Sequence, residues 1–116
     1  MLERNDGVIV NVNSISGKRP HRDAGAGYAA GKHSLHALAG CLANEELESG
    51  IRVSSIYPGA IDTPQRLTRP AHDTAEQRAK MMKPGDVANA ALFVATLPPH
   101  VSVPELIIKP TAQAYI

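Results

Sequence analysis

Tyr28 and Lys32 stand four residues apart at the start of a stretch with helical patterning, so both side chains lie on one helix face. A lysine ammonium beside a phenol favours the phenolate and suits a tyrosine to general acid–base work near neutrality. Spacing alone leaves a second reading open, an ordinary Tyr and Lys at a surface helix start. A Tyr-x-x-x-Lys arises by chance in roughly one chain in five to ten of this length. Ser14 lies just past a β-branched run at 8–12, where a side chain can face a ligand crevice. A hydroxyl there can donate to a substrate carbonyl or a developing oxyanion; a single serine more commonly caps a turn.

Other residues carry weaker signals. Gly25, Gly27 and Ala30 fit the spacing G-x-G-x-x-G/A, but a pyrophosphate-binding turn needs its glycines directly after a strand, and about a dozen loop residues intervene here. His33 and His36 are three apart on the same stretch, half of a metal site, with no Cys or carboxylate at ligand spacing to complete it. No metal ligand set is expected. Cys41 reads as a small core or interface residue, and Met81 and Met82 as packing residues.

The elements that must position Ser14, Tyr28 and Lys32 follow from periodicity. Residues 8–12 form a short β-branched run after the turn signal Asn5-Asp6-Gly7 and read as a buried strand. A polar, glycine-bearing loop spans 13–27, long enough to be functional. Residues 28–48 are helical, with Leu35, Leu38, Ala39, Leu42 and Leu47 near 3.6 spacing and Gly50 as a C-terminal cap. Residues 51–57 make the next strand, stopped by Pro58-Gly59. A weakly helical piece lies at 74–82, a clear helix at 86–97, and a last short strand at 106–109. Strands alternating with amphipathic helices imply crossovers and a parallel sheet, whose ligands sit beyond the carboxyl ends of the strands. Both long loops leave from that end.

With these motifs in order, the chain resembles the short-chain dehydrogenase/reductase family. The matching residues are Ile9-Val10-Asn11-Val12-Asn13-Ser14-Ile15-Ser16-Gly17, then Tyr28-Ala29-Ala30-Gly31-Lys32, Gly50-Ile51-Arg52-Val53, Pro58-Gly59-Ala60-Ile61-Asp62-Thr63 and Lys83-Pro84-Gly85-Asp86-Val87-Ala88. The tail, through Glu105-Leu106 to Pro110-Thr111-Ala112-Gln113, resembles a branch with broad substrate choice. The resemblance implies an α/β fold: one domain over 1–116, a partial Rossmann-like parallel sheet of about three strands flanked by helices. This corresponds to the catalytic C-terminal half without the nucleotide-binding half. It implies an NAD- or NADP-dependent oxidoreductase moving hydride between nicotinamide and a carbonyl or alcohol substrate. Tyr28 would handle the proton, Lys32 would hold the nicotinamide ribose and act on Tyr28, and Ser14 would orient the substrate. Pro58, Gly59, Ile61 and Thr63 would line the nicotinamide end, and 64–83 would be the substrate loop. The alternative is a catalytically silent fragment serving at most as an interaction module. Three departures stand out. Asn13 replaces the first of two adjacent serines, Ser54 stands where Asn is usual, and the glycine-rich turn, the NAD/NADP selector and the catalytic asparagine have no counterpart in this sequence.

Composition narrows the rest. The chain has 116 residues, 43% hydrophobic, with a net charge of +1. Twelve basic and eleven acidic residues are interspersed, and aromatics are only 3%, which points away from nucleic acid and membrane surfaces. No apolar run approaches the roughly 20 residues of a membrane span. A charged start and a single cysteine make the cytoplasm the expected location. A three-stranded parallel sheet leaves edges built for pairing, so a homo-oligomer or association through an exposed edge is expected.

Overall fold

The computed structural model describes residues 1–68 and 72–115. Three β-branched runs form the strands β1 (Gly7–Val12), β2 (Ile51–Pro58) and β3 (Glu105–Ile108). They make one parallel sheet in the order β1-β2-β3, with Val12 opposite Ile56 and Ser55 opposite Glu105. Parallel neighbours need crossovers, and helices supply them. Helix α1 (Ala26–Glu45) joins β1 to β2, and the short α2 (Ala75–Ala79) and α3 (Pro84–Ala95) join β2 to β3. The α/β, partly Rossmann-like architecture expected from the sequence is therefore present.

Burial concentrates on β2, whose two faces alternate. Tyr57 is fully buried, and its hydroxyl shares a 2.7 Å hydrogen bond with His36 Nδ1 of α1. Its neighbour Ile56, also fully buried, points to the opposite face, while α3 packs on β1 and β2 through Val87 and Val94. Lys18 Nζ lies 5.0 Å from the Tyr57 ring centroid and donates to Glu105 at 2.6 Å, tying the start of β3 to the loop after β1. Burial pushes the Tyr57 phenol above its ordinary value, with Glu105 adding to this and Lys18 opposing it. Ser54, at the position where asparagine is usual in the resembled family, is buried within β2.

Several boundaries differ from the sequence expectation. Helix α1 starts two residues before Tyr28 and stops at Glu45, so Gly50 is not its cap. Gly50 makes the turn into β2 at φ 69°, and a Cβ there would collide with the Asn5 carbonyl oxygen. Helix α3 starts at Pro84, which needs no amide hydrogen at the first helical position, and Asp86 accepts from the Lys83 amide at 2.7 Å. The helical piece at 74–82 is shorter, Ala75–Ala79, opened by a reciprocal cap between Thr74 and Gln77. The loop at 13–27 contains two 3-10 turns, Ile15–Gly17 and Arg22–Ala24. Of the expected substrate segment 64–83, residues 69–71 lie outside the described residues.

The helical stripes are wider than the surface this sheet covers. Leu38 of α1 is 62% exposed and Leu92 of α3 is 61% exposed, with Phe93 beside it. Cys41, expected as a core or interface residue, is exposed on α1. His33 and His36 turn to separate partners, the Ala29 carbonyl at 2.8 Å and the Tyr57 hydroxyl. Among the described residues, no helix is long and apolar enough to cross a membrane.

Candidate active site

The loops leaving the carboxyl ends of all three strands enclose a cleft of about 470 Å³, within the range typical of small-molecule sites. Ser14 reaches it from the loop after β1, Tyr28 from the first turn of α1, and Gly59, Ile61 and Thr63 from the turn after β2. Five of the residues singled out in the sequence thus share one cavity. Pro58 does not line it; it is the buried last residue of β2, directly behind the turn. Lys32 does not line it either. It lies one helical turn beyond Tyr28, with Nζ 5.7 Å from the Tyr28 ring centroid and 3.4 Å from the Val12 carbonyl, to which it donates.

Local structure fixes each side chain. Ser14 caps the Ile15–Gly17 turn: its Oγ accepts from the Ser16 amide at 3.1 Å. This is the capping role of an ordinary turn serine, yet it uses only a lone pair, and the hydroxyl hydrogen stays free to donate into the cleft. Tyr28 is 46% exposed, open to a ligand. Asn13 stands where the resembled family has a serine. Its Nδ2 donates to the Lys32 carbonyl at 3.1 Å, fastening the strand end to the helix that carries Tyr28 and Lys32, while its buried Oδ1 has no partner. Gly25 follows the Arg22–Ala24 turn rather than a strand, so the Gly25-x-Gly27 spacing lacks the geometry of a pyrophosphate turn.

The turn after β2 is held from outside the cleft. Ile61 pairs in parallel with Met82: the Met82 amide donates to the Ala60 carbonyl at 3.1 Å and the Asp62 amide to the Met82 carbonyl at 2.8 Å. In this pattern the N–H and C=O of Ile61 itself are directed away from Met82, and no described residue bonds to them. Asp62 accepts from Lys83 Nζ at 2.8 Å and Arg78 Nε at 2.7 Å. Lys83 first and Arg78 second hold its carboxyl below the ordinary carboxylate range. Arg66, which also lines the cleft, is bound by Asp73 through two hydrogen bonds of 2.6 and 2.9 Å.

Two features of the cleft were not read from the sequence. Ser16 Oγ and His21 Nε2, both lining it, lie 3.0 Å apart. The tail residues Gln113, Ala114 and Tyr115 form one wall. Neither has a periodic signature; each depends on chain segments that only the folded sheet brings together.

The sequence and the fold both have relatives among known proteins. The profile of the short chain dehydrogenase family matches residues 1–74. An oxidoreductase of Mycobacterium tuberculosis is 39% identical over 121 residues, covering 98% of this chain and 47% of the relative. The crystal structure of serine dehydrogenase from Escherichia coli superimposes with a TM-score of 0.80 at 29% identity, covering 99% of this chain and 45% of that one. An alcohol dehydrogenase from the archaeon Thermococcus sibiricus, complexed with 5-hydroxy-NADP, gives a TM-score of 0.79 at 27% identity, covering 99% and 46%. The chain spans about half the length of the relatives it matches.

Proposed function

The chain belongs to the short-chain dehydrogenase family, and from that premise we propose that it is the catalytic, C-terminal half of an NAD(P)-dependent oxidoreductase acting on a carbonyl or alcohol. One observation carries the reading: Ser14 and Tyr28 share a cleft with the turn bearing Gly59, Ile61 and Thr63, and Lys32 lies over the Tyr28 ring from behind.

The residues fit the nicotinamide–ribose end of the cofactor. Lys32 gives one long hydrogen bond to Val12, which leaves ammonium hydrogens for ribose hydroxyls. The N–H and C=O of Ile61, without partners among the described residues, match the acceptor and donor of a carboxamide. The pyrophosphate end has no glycine-rich strand-to-helix turn in this sequence to receive it. When bound, NAD(P) supplies a hydride to a carbonyl or takes one from an alcohol.

The chain's own residues do the rest. In the reducing direction Tyr28 gives its phenolic proton to the substrate oxygen, and in the oxidising direction it takes that proton back. The Ser14 hydroxyl donates to the same oxygen and fixes its position as negative charge develops. Lys32 places positive charge beside the tyrosine that becomes negative when the proton leaves. From the segment expected to contact substrate, Gln65 and Arg66 border the cleft, and its described residues are pinned by Asp73 on Arg66 and by Asp62 on Arg78 and Lys83.

Reduced nicotinamide mononucleotide is a suitable probe, because it needs no adenine or pyrophosphate site. Replacing Tyr28 by Phe should leave its affinity for the chain within about twofold and cut carbonyl turnover with it as hydride donor by at least about a hundredfold. Unchanged turnover would remove Tyr28 from the mechanism.

A further inference from the structure

Gln113 lies 53 residues from the turn after β2, yet its side-chain Oε1 accepts from the Ala60 amide at 2.9 Å. It does not arrive there loosely. Its own amide donates to the Pro110 carbonyl at 3.0 Å, and its carbonyl accepts from Lys109 Nζ at 2.9 Å. The tail after β3 is thus folded into a turn on buried Pro110 before Gln113 reaches across. The neighbouring residue records the same contact. A Cβ on Gly59 would collide with Gln113 Oε1, whereas the backbone of Gly59 is not in the left-handed region. The bare glycine thus leaves room for Gln113 Oε1 and for the Lys109 side chain, whose Cβ would lie 3.0 Å from an added methyl; the dihedral angles do not require it.

The contact bears on Ile61. Ala60 is fixed by Gln113 on one side and Asp62 by Met82 on the other. Between them lies the residue whose N–H and C=O have no described protein partner.

We propose that Gln113 is a positioning residue of the cleft: by holding the Ala60 amide it sets the turn that presents Ile61 to the carboxamide of a nicotinamide, and it makes the segment Gln113-Ala114-Tyr115 a fixed wall of the same site. This rests on the nicotinamide reading above. The tail thereby couples the edge strand β3 to the cofactor side of the cleft, and Tyr115, 93% exposed at its rim, is placed to meet whatever enters.

The test uses the 116-residue chain, titrated with reduced nicotinamide mononucleotide, with amide exchange at Ala60 followed by NMR. Gln113→Ala should weaken binding about tenfold, the worth of one hydrogen bond to a group that is otherwise left unpaired, and should speed exchange at Ala60. Gln113→Glu keeps the acceptor and should restore both, which a role in bulk packing alone would not require. Gly59→Ala should weaken binding by itself but cost less in the Gln113→Ala background, where only the Lys109 side chain still crowds the new methyl. Unchanged affinity in Gln113→Ala with native circular dichroism, failure of Gln113→Glu to restore binding, or additive losses in the double variant overturns the proposal. If the wild-type chain takes up none of the probe, the nicotinamide reading itself fails, and the role of Gln113 falls with it. That outcome is distinct from equal binding by wild type and variant, which removes Gln113 alone.

Discussion

Tyr28 carries the proposed chemistry, and its two proposed partners lie on different sides of it. Lys32 lies behind the ring while Ser14 shares the cleft in front. Because the Ser14 oxygen is already engaged by the Ser16 amide, its orientation is set before substrate arrives. Such preorganised donors are costly to lose. Ser14→Ala should therefore lower carbonyl turnover about a hundredfold, the scale of one lost oxyanion donor, and leave binding of reduced nicotinamide mononucleotide nearly unchanged; steady-state kinetics beside a binding titration separate the two. All three residues were legible in the sequence, because a helix face and a strand end are local features. Asn13 was legible only as a departure. Its bond to the Lys32 carbonyl gives that departure a structural use. The contact between Ser16 and His21 left no trace in the sequence, since two 3-10 turns of three residues have no period to detect.

The elements carry the next level of control. Strands β1, β2 and β3 could be read within one or two residues because β-branched runs bounded by Gly and Pro declare themselves. Helix ends were harder: α1 stops at Glu45, and the φ of Gly50 serves the entry to β2 instead. The segment after β2 has little regular structure, and ion pairs fasten it. Asp62 holds Lys83 and Arg78, and its carboxyl is held below the ordinary range. A depressed carboxylate contributes fully above the ordinary carboxylate range and loses its contribution as pH falls through the depressed value. Amide protection factors at residues 74–83, which take out the intrinsic pH dependence of exchange, should therefore fall as the solution is taken from neutral into acid, and Asp62→Asn should show low protection already at neutral pH with a flatter acid response. An unaltered profile in that variant would mean that Asp62 does not fasten the segment.

At the scale of the whole molecule, the chain is extended rather than rounded. Its radius of gyration is 15.7 Å and its extents are 48 × 27 × 24 Å, against about 13 Å expected for a compact domain of this length. Leu38, Leu92 and Phe93 lie open on the helices, and β1 has a strand partner on one side only. Periodicity marked Leu38 as apolar-face, yet among the described residues nothing covers it. Burying one such side chain is worth about 1.5–3 kcal/mol, and we propose that these faces associate. Sedimentation velocity should give a species larger than the monomer, and a stable, well-folded monomer would contradict this.

In the proposed function this half of the fold holds the nicotinamide end of NAD(P) against Tyr28. Amide chemical shifts of the chain, followed during titration with reduced nicotinamide mononucleotide, test it most directly. Saturable shifts centred on Ser14, Ile61 and Thr63 are expected, weakened when Lys32 is replaced by Met. Shifts scattered over the surface, or none up to saturating probe, would contradict it.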